Sequence, residues 1–517
     1  MTEAFQEQAT LRPAGYAALI ERYGLDVIPN WHRSLVTTSG IHRINSMRGV
    51  IEEIYSSKYW PGDALGDQLE FALKYDGTNL AILASLFQTV SPEEFLVYVQ
   101  SKPTGKYARR LWFLYELLTG TRLSMDDVER GNYIDLLDPD EYYTVTSARQ
   151  VRRQRINDNL LGESRFCPTI RRTDTLRGFE ATDLPKRCRE VVSHYSPELL
   201  KRAMSYLYTK ETKSSFEIEH IKPNSTRTER FIALLQMAES EDFCEKTRLI
   251  ELHNRIVDPR FRASDYRTNQ NYVGETVAWQ KERIHYACPK PEDLASLMEG
   301  LVAAHKQMEM GDVSAVVHAA AVAYGFVFLH PFEDGNGRIH RFLIHNILAR
   351  RGFTPEGIMF PVSASMLKDL GNYDASLEAF SRPLMALVEY SLGEEGQMTV
   401  QNDTARWYRY IDMTPQVEAI FRLIDRTIDT ELVEELVFLA NYDGTKKAIQ
   451  EIVDMPDQEI DLFIRLCLQN NGRLSARKRA SSFSILLDEE IARMEQAVQS
   501  AYGVDTAAAG SQESQET

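Results

Sequence analysis

Apolar residues recur three or four positions apart along most of the chain, over 68–86, 92–100, 106–118, 197–209, 226–238, 291–308, 338–350 and 373–390. That spacing gathers them on one helical face and predicts a mostly α protein. Strand-like stretches are few and short, at 141–146 and 281–288. Between 135 and 183 the periodicity lapses, which predicts an irregular connector. Residues 313–332 contain no Asp, Glu, Lys or Arg across 20 positions, about the length that crosses a bilayer. The stretch is rich in Ala, carries His318 and His330 and runs straight into a dense polar motif, so it predicts a buried central helix instead. A further break near 392–397 precedes a new helical set from Thr414, and 507–517 has the small, polar composition of a disordered tail.

A weak repeat lies on this pattern. Tyr75-Asp76-Gly77-Thr78 and Tyr442-Asp443-Gly444-Thr445 are each followed by Ala-Ile, then by Gly105 or Gly472 and Arg110 or Arg477 at matching distances. The spacing predicts two copies of a small helical module of winged-helix-like type, although Asp-Gly is also a common turn dipeptide. The expected division is a helical module over 1–134, an Arg-rich connector over 135–190, a central helical domain over 191–392, a helical or winged-helix-like module over 393–503, and a tail over 504–517.

A length of 517 residues suits about three domains at roughly 150 residues each. The 59 Lys+Arg against 75 Asp+Glu leave a net charge of −16, which argues against the whole surface binding nucleic acid or anionic membrane. Local basic segments remain, one over 147–188 with ten Lys/Arg against five Asp/Glu, another over 473–479. They motivate DNA as a partner of the terminal modules. Five scattered cysteines without a C-x-x-C pair suggest neither a disulfide framework nor a zinc site, and a cytoplasmic location is expected. The first residues lack the basic and apolar stretches of a secretory signal.

The segment that carries chemistry is His330-Pro-Phe-Glu-Asp-Gly-Asn-Gly-Arg-Ile-His-Arg341. Pro331 interrupts the apolar helix, and Gly335-Asn336-Gly337 gives flexible backbone entering the next one. Backbone N–H groups at such a helix start bind anions. Arg338 and Arg341 make that anion a polyphosphate. Asp334 can hold Mg²⁺ against phosphate oxygens. His330, with an ordinary pKa of about 6.5, is placed to accept a proton from an attacking hydroxyl. Phe332 and Ile339 are assigned to packing and Glu333 to solvent. Together these parts describe transfer of a phosphate-containing group to an alcohol.

The motif resembles that of the Fic family, H-P-F-x-D/E-G-N-G-R-x-x-R, at every fixed position, and the resemblance extends over about 197–390. It implies a compact helical domain that transfers AMP from ATP to a Ser, Thr or Tyr hydroxyl of a target protein, releasing pyrophosphate. His330 is then the general base, Asp334 the Mg²⁺ ligand, Gly335, Asn336 and Gly337 the phosphate nest, and Arg338 and Arg341 the β- and γ-phosphate ligands. Gly337 separates the chain from the Doc-type kinases, which carry Lys there. Residues 281–294 resemble the family's flap, a hairpin that aligns the target by backbone pairing. Tyr373 matches a Tyr near the nucleotide base, and Ser381 stands where several relatives have Asn.

Upstream, Ser214-Ser215-Phe-Glu-Ile-Glu219-His220 resembles the family's inhibitory pattern, S/T-x-x-x-E followed by G or N, with His220 departing at the last place. Ser215 and Glu219 share a helical face. The resemblance implies that Glu219 pairs with Arg341 in the space of the γ-phosphate, so the chain is expected to be an autoinhibited, Mg²⁺-dependent adenylyltransferase. Two alternatives stay open: a de-AMPylase in which Glu219 orients water, and a nucleotide-sensing DNA-binding regulator. The partners considered are ATP, a hydroxyl-bearing target that includes the protein itself, DNA, and a second copy in a homodimer, with no membrane among them.

Overall fold

The computed structural model describes residues 11–37, 42–47, 49–278, 281–394 and 396–503; the expected tail lies outside them. The chain is mostly helical, as the periodicity predicts. The N-terminal part differs from the expected all-helical module. It contains a four-stranded sheet in the order Leu11–Ala14, His32–Thr37, Val50–Ser56, Arg43–Met47, with only the central pair parallel. These strands escape the hydrophobic pattern because their buried positions include polar groups. The buried Asp76 carboxylate receives the Tyr16 amide at 2.9 Å, sits 3.0 Å from His32 Nδ1, and accepts the Ser34 hydroxyl. Five helices complete this unit around Leu69, Leu83, Phe95 and Trp112. The expected helix over 68–86 is broken at Gly77, whose φ of +82° suits glycine, and Asn79 then caps Leu80–Thr89.

The connector is more ordered than expected. It holds a three-stranded sheet of Ile134–Asp135, Ile156–Asp158 and Arg149–Val151, and helices Asp174–Ala181 and Leu184–Ser193. The predicted strand at 141–146 reduces to a single bridge between Tyr142 and Arg171. The connector's arginines serve the fold. Arg153 pairs with Glu116 and Asp127, Arg171 with Asp412, Arg172 with Glu180, and Arg187 with Asp425 and Asp429.

The central helix Ala315–Leu329 is buried almost throughout. It packs against Pro291–Met310, Asn336–Arg350 and Thr414–Arg426, so the expected boundary at 392 falls inside a continuous core reaching Leu439. Among the described residues no single helix is long and apolar enough to cross a membrane. The flap is a hairpin of Tyr272–Ala278 and Lys281–Ala287. It therefore begins and ends earlier than expected, and Pro291 opens a helix rather than continuing the flap. All five cysteines are buried free thiols.

The repeat is not structural. Thr445 and Gly444 lie inside the continuous helix Val433–Ile452, whereas Gly77 breaks its helix. Arg110 is buried on the Asp135 carbonyl, while Arg477 is exposed in Ala476–Ser482. From Thr414 onward every described element is helical, so the described residues there hold no winged-helix hairpin; the short hairpin of Tyr390–Leu392 and Met398–Val400 precedes them.

Glycine lets the connector lie directly on the central domain. A Cβ on Gly300 would come within 2.7 Å of the Arg165 and Phe166 backbone. Gly300→Ala should therefore destabilise the protein by about 1–3 kcal/mol through overpacking, measurable by denaturant unfolding.

Candidate active site

The polar motif forms a tight loop between two buried helices. His330 terminates Ala315–Leu329 with φ +51°, the left-handed conformation that turns the chain. Asn336 then closes the loop on itself: its side-chain N–H donates to the Phe332 carbonyl at 2.7 Å, and its oxygen accepts the Phe332 amide at 3.1 Å. The Asn336 side chain is thus a brace, and only its backbone belongs to the expected phosphate nest. Gly335 adopts φ +83° and starts Asn336–Arg350, whose first-turn amides, at Asn336, Gly337 and Arg338, have no carbonyl four residues back within the helix. Phe332 and Ile339 are buried and Glu333 is exposed, as expected.

Two guanidinium groups stand beside that helix start. Arg338 is 0% exposed, lies over the Phe216 ring at 5.2 Å, and has no hydrogen-bond partner at Nη1 among the described residues. An unpartnered buried donor of this kind is costly. It suits an anion. Arg341, also buried, donates Nε to the Ser215 hydroxyl at 2.9 Å and Nη2 to the Ser215 carbonyl at 2.6 Å. Glu219 joins the two: Oε2 lies 2.7 Å from Arg338 Nε and Oε1 2.7 Å from Arg341 Nη2. The carboxylate therefore bridges both arginines, where the resemblance implied Arg341 alone. Burial by itself would depress the Arg341 pKa, but Glu219 together with Tyr373 more than offsets it and holds the guanidinium above its ordinary value. Gly337 makes this approach feasible, because a Cβ there would lie 2.6 Å from Glu219 Oε1.

The backbone explains how Glu219 reaches this position. Pro197–Glu217, capped by Ser196 with Pro197 in its first turn, ends in a Schellman-type turn. The Ile221 amide donates to the Phe216 carbonyl at 3.0 Å and the His220 amide to the Glu217 carbonyl at 2.8 Å. His220 takes φ +56°. This is why the departure from G or N matters: the left-handed position favours those residues. One helical turn before Ser215, buried Glu211 contacts His345 Nε2 at 2.7 Å and accepts from the Ser363 amide at 2.8 Å. The helix is thus fastened to Asn336–Arg350 at two levels.

His330 carries the acceptor. Its Nδ1 lies 3.2 Å from the Val327 carbonyl; a carbonyl only accepts, so the proton sits on Nδ1 and Nε2 keeps its lone pair. Desolvation pushes the imidazole pKa down to about 4, below the ordinary value expected from sequence. His330 also lines an open cleft of 640 Å³ between the flap and Leu370–Met385, with Val273, Ile284, Leu377, Ser381 and Met385. Ser381 thus lines this cleft. Tyr373 does not: it is buried beside His340, its ring 6.0 Å away, and hydrogen-bonds Arg341. The helical period separates them, since positions 373, 380 and 384 face the core while 374, 377, 381 and 385 face the cleft.

Asp334 fits a divalent cation. Its side chain is 55% exposed; Oδ1 accepts from the Gly335 amide at 2.6 Å and from Arg338 Nη2 at 3.0 Å, leaving Oδ2 toward solvent. Two supporting residues were not legible from sequence. His253 stacks on Phe332 at 4.2 Å. Buried Arg267 donates Nε to the His330 carbonyl at 2.8 Å, while its amide donates to the Pro331 carbonyl at 2.9 Å. Neither lies in a recognisable motif.

Fold and site define a helical domain in which a neutral imidazole faces a cationic, amide-lined anion cradle. Residues 243–348 match the Fic/DOC family model. Over 110 residues the chain is 36% identical to proteins described as protein adenylyltransferase Fic from Drosophila mojavensis, Drosophila virilis and Drosophila melanogaster, covering 21% of this chain and 20% of each relative. The chain thus spans about a fifth of the length of those curated relatives. A Fic family protein from Desulfovibrio desulfuricans G20 superposes with TM-score 0.35 and 17% identity, over 64% of this chain and 85% of that one. A Fic domain containing signaling protein from Bacteroides thetaiotaomicron VPI-5482 does so with TM-score 0.36 and 20% identity, over 49% and 96%. The similarity to Fic proteins is thus carried by the segment that holds the polar motif.

Replacing His220 by Gly should relieve the left-handed strain and raise unfolding stability by about 1 kcal/mol, read from urea unfolding of the two proteins.

Proposed function

We propose that this protein transfers AMP from ATP to a hydroxyl of a target protein and that Glu219 restrains the reaction. The observation that carries the reading is the convergence of Arg338, Arg341 and the free first-turn amides next to the neutral Nε2 of His330. In the active arrangement, the β- and γ-phosphates of ATP occupy the cradle and the base enters the cleft lined by Ser381. The target hydroxyl oxygen attacks the α-phosphorus, the bond from that phosphorus to the bridging oxygen breaks, and pyrophosphate leaves. The hydroxyl proton passes to His330 Nε2. The flap supports the target segment by strand addition. Asp334 is the residue that would hold Mg²⁺, which when bound offsets charge on the phosphates.

Restraint follows from charge competition. Glu219 occupies the donors that a triphosphate needs, and two carboxylate oxygens cannot share Arg338 Nε and Arg341 Nη2 with phosphate at full strength. Removing Glu219 leaves buried Arg341 without a carboxylate partner and Arg338 with Asp334 alone. Such a loss costs about 3–5 kcal/mol for a buried pair, and bound triphosphate restores the counter-charge.

Incubation with labelled ATP should therefore give weak transfer, and Glu219→Gly should increase it at least tenfold, with a mass gain of one AMP on the modified polypeptide. A folded Glu219→Gly protein that binds ATP and transfers nothing would contradict the reading. His330→Ala should abolish transfer in that background while leaving ATP binding within about twofold.

The depressed pKa of His330 gives a further expectation. The base works in its neutral form, so transfer by Glu219→Gly should be independent of His330 ionisation near neutrality and should fall as pH drops toward about 4. An acid limb centred near 6.5 in the rate profile would contradict the buried setting described for the imidazole.

A further inference from the structure

Arg267 is an unusual residue to bury. The residue is only 6% exposed, and its guanidinium has no carboxylate within ion-pair distance among the described residues. Burial accordingly depresses its pKa below the ordinary arginine value. In place of a counter-charge it has carbonyls: Nε donates to His330 at 2.8 Å, Nη1 to Asn269 at 2.7 Å and Nη2 to Pro289 at 2.7 Å. Its own amide donates to Pro331 at 2.9 Å.

Those carbonyls belong to three different parts of the site. Asn269 lies just before the first flap strand and Pro289 just after the second, so one side chain grips both ends of the hairpin. The third carbonyl, on His330, belongs to the left-handed turn that aims the imidazole. Neighbouring contacts run between the same segments: the Tyr286 hydroxyl donates to the Phe328 carbonyl, and Gln270 Nε2 donates to the Cys288 carbonyl at 2.7 Å. Arg267 links the two flap ends and the base turn through a single rigid group. A guanidinium can satisfy three separated carbonyls in one plane, whereas a lysine ammonium on a flexible stem cannot hold the same directions.

We propose that Arg267 is a positioning residue that sets the distance and direction between the flap and His330, and so between the target hydroxyl and its base. This rests on the transfer reading above. ATP touches neither of the flap-end carbonyls in that reading; its phosphates lie against Arg338, Arg341 and the helix start. Loosening Arg267 therefore separates two quantities that a general loss of structure would lower together. The phosphate cradle is kept, and the alignment of target and base is lost. Misplacement of reacting groups by about 1 Å costs on the order of 100-fold in rate.

The test compares Arg267→Lys and Arg267→Gln, each in the Glu219→Gly protein. For a variant that unfolds near the parent's melting temperature, tripolyphosphate affinity should stay within about twofold and kcat for transfer should fall about 100-fold, with KM for the target raised. The lysine variant, which keeps charge without the fork, should not rescue kcat. Unchanged kcat in a folded variant, or tripolyphosphate affinity and kcat falling by the same factor, would overturn the proposal. Hydrogen exchange on the same proteins reads the linkage without any need for activity. Amides over 272–287 and 330–337 should gain exchange together in both variants, and gain confined to one segment would overturn it. If Glu219→Gly transfers nothing, the transfer reading falls, while exchange still decides whether Arg267 joins flap and base turn.

Discussion

A single carboxylate organises the site. Glu219 neutralises two buried guanidinium groups that come from the first turns of one helix, and it does so from the end of another. Two cations at that separation in a water-poor pocket need an anion, and the protein supplies its own. Much of the local architecture follows from that need: the Schellman-type turn at His220 delivers Glu219, the missing Cβ of Gly337 admits it, and the Ser215 hydroxyl and carbonyl hold Arg341 for it. The same cradle would accept a triphosphate, which on the proposed reading must displace the carboxylate. Rest state and reactive state then differ in which anion the arginines hold.

The proposed base is prepared by different means. His330 is kept neutral by desolvation, and its Nδ1 proton is committed to a carbonyl, so Nε2 is available without any prior proton loss. The catalytic loop is self-braced by Asn336 and supported from below by His253. Rigid backbone around a charged and exchangeable set of side chains suits a site whose control lies in counter-charge rather than in large loop rearrangement.

How much of this could be read from sequence depended on whether the information was local. The motif from His330 to Arg341 places its base, cradle and cation ligand within a dozen residues, and the structure brings His330, Asp334, Arg338, Arg341, Ser215 and Glu219 together as anticipated. The buried central helix was equally plain, because no charge interrupts it. Arg267 was not legible, since its role depends on carbonyls at 269, 289 and 330 that converge only in space. Nor was the N-terminal sheet, whose inward His32 and Ser34 hide the strand period by serving a buried carboxylate. The apparent repeat failed for a related reason: Tyr-Asp-Gly-Thr constrains little by itself, and Gly77 turns the chain where Gly444 continues a helix. Tyr373 carried the right residue type at a familiar spacing, yet one step of helical phase set it behind Arg341 rather than in the cleft.

The central claim is that Glu219 and the terminal phosphates compete for the same two arginines. Calorimetric affinities of inorganic tripolyphosphate and of AMP for the parent protein and for Glu219→Gly test it most directly, because only the first probe requires the contested donors. The account predicts at least tenfold tighter tripolyphosphate binding on removing Glu219, with AMP affinity unchanged within about twofold. Equal tightening of both probes, or no change in tripolyphosphate affinity, would contradict it.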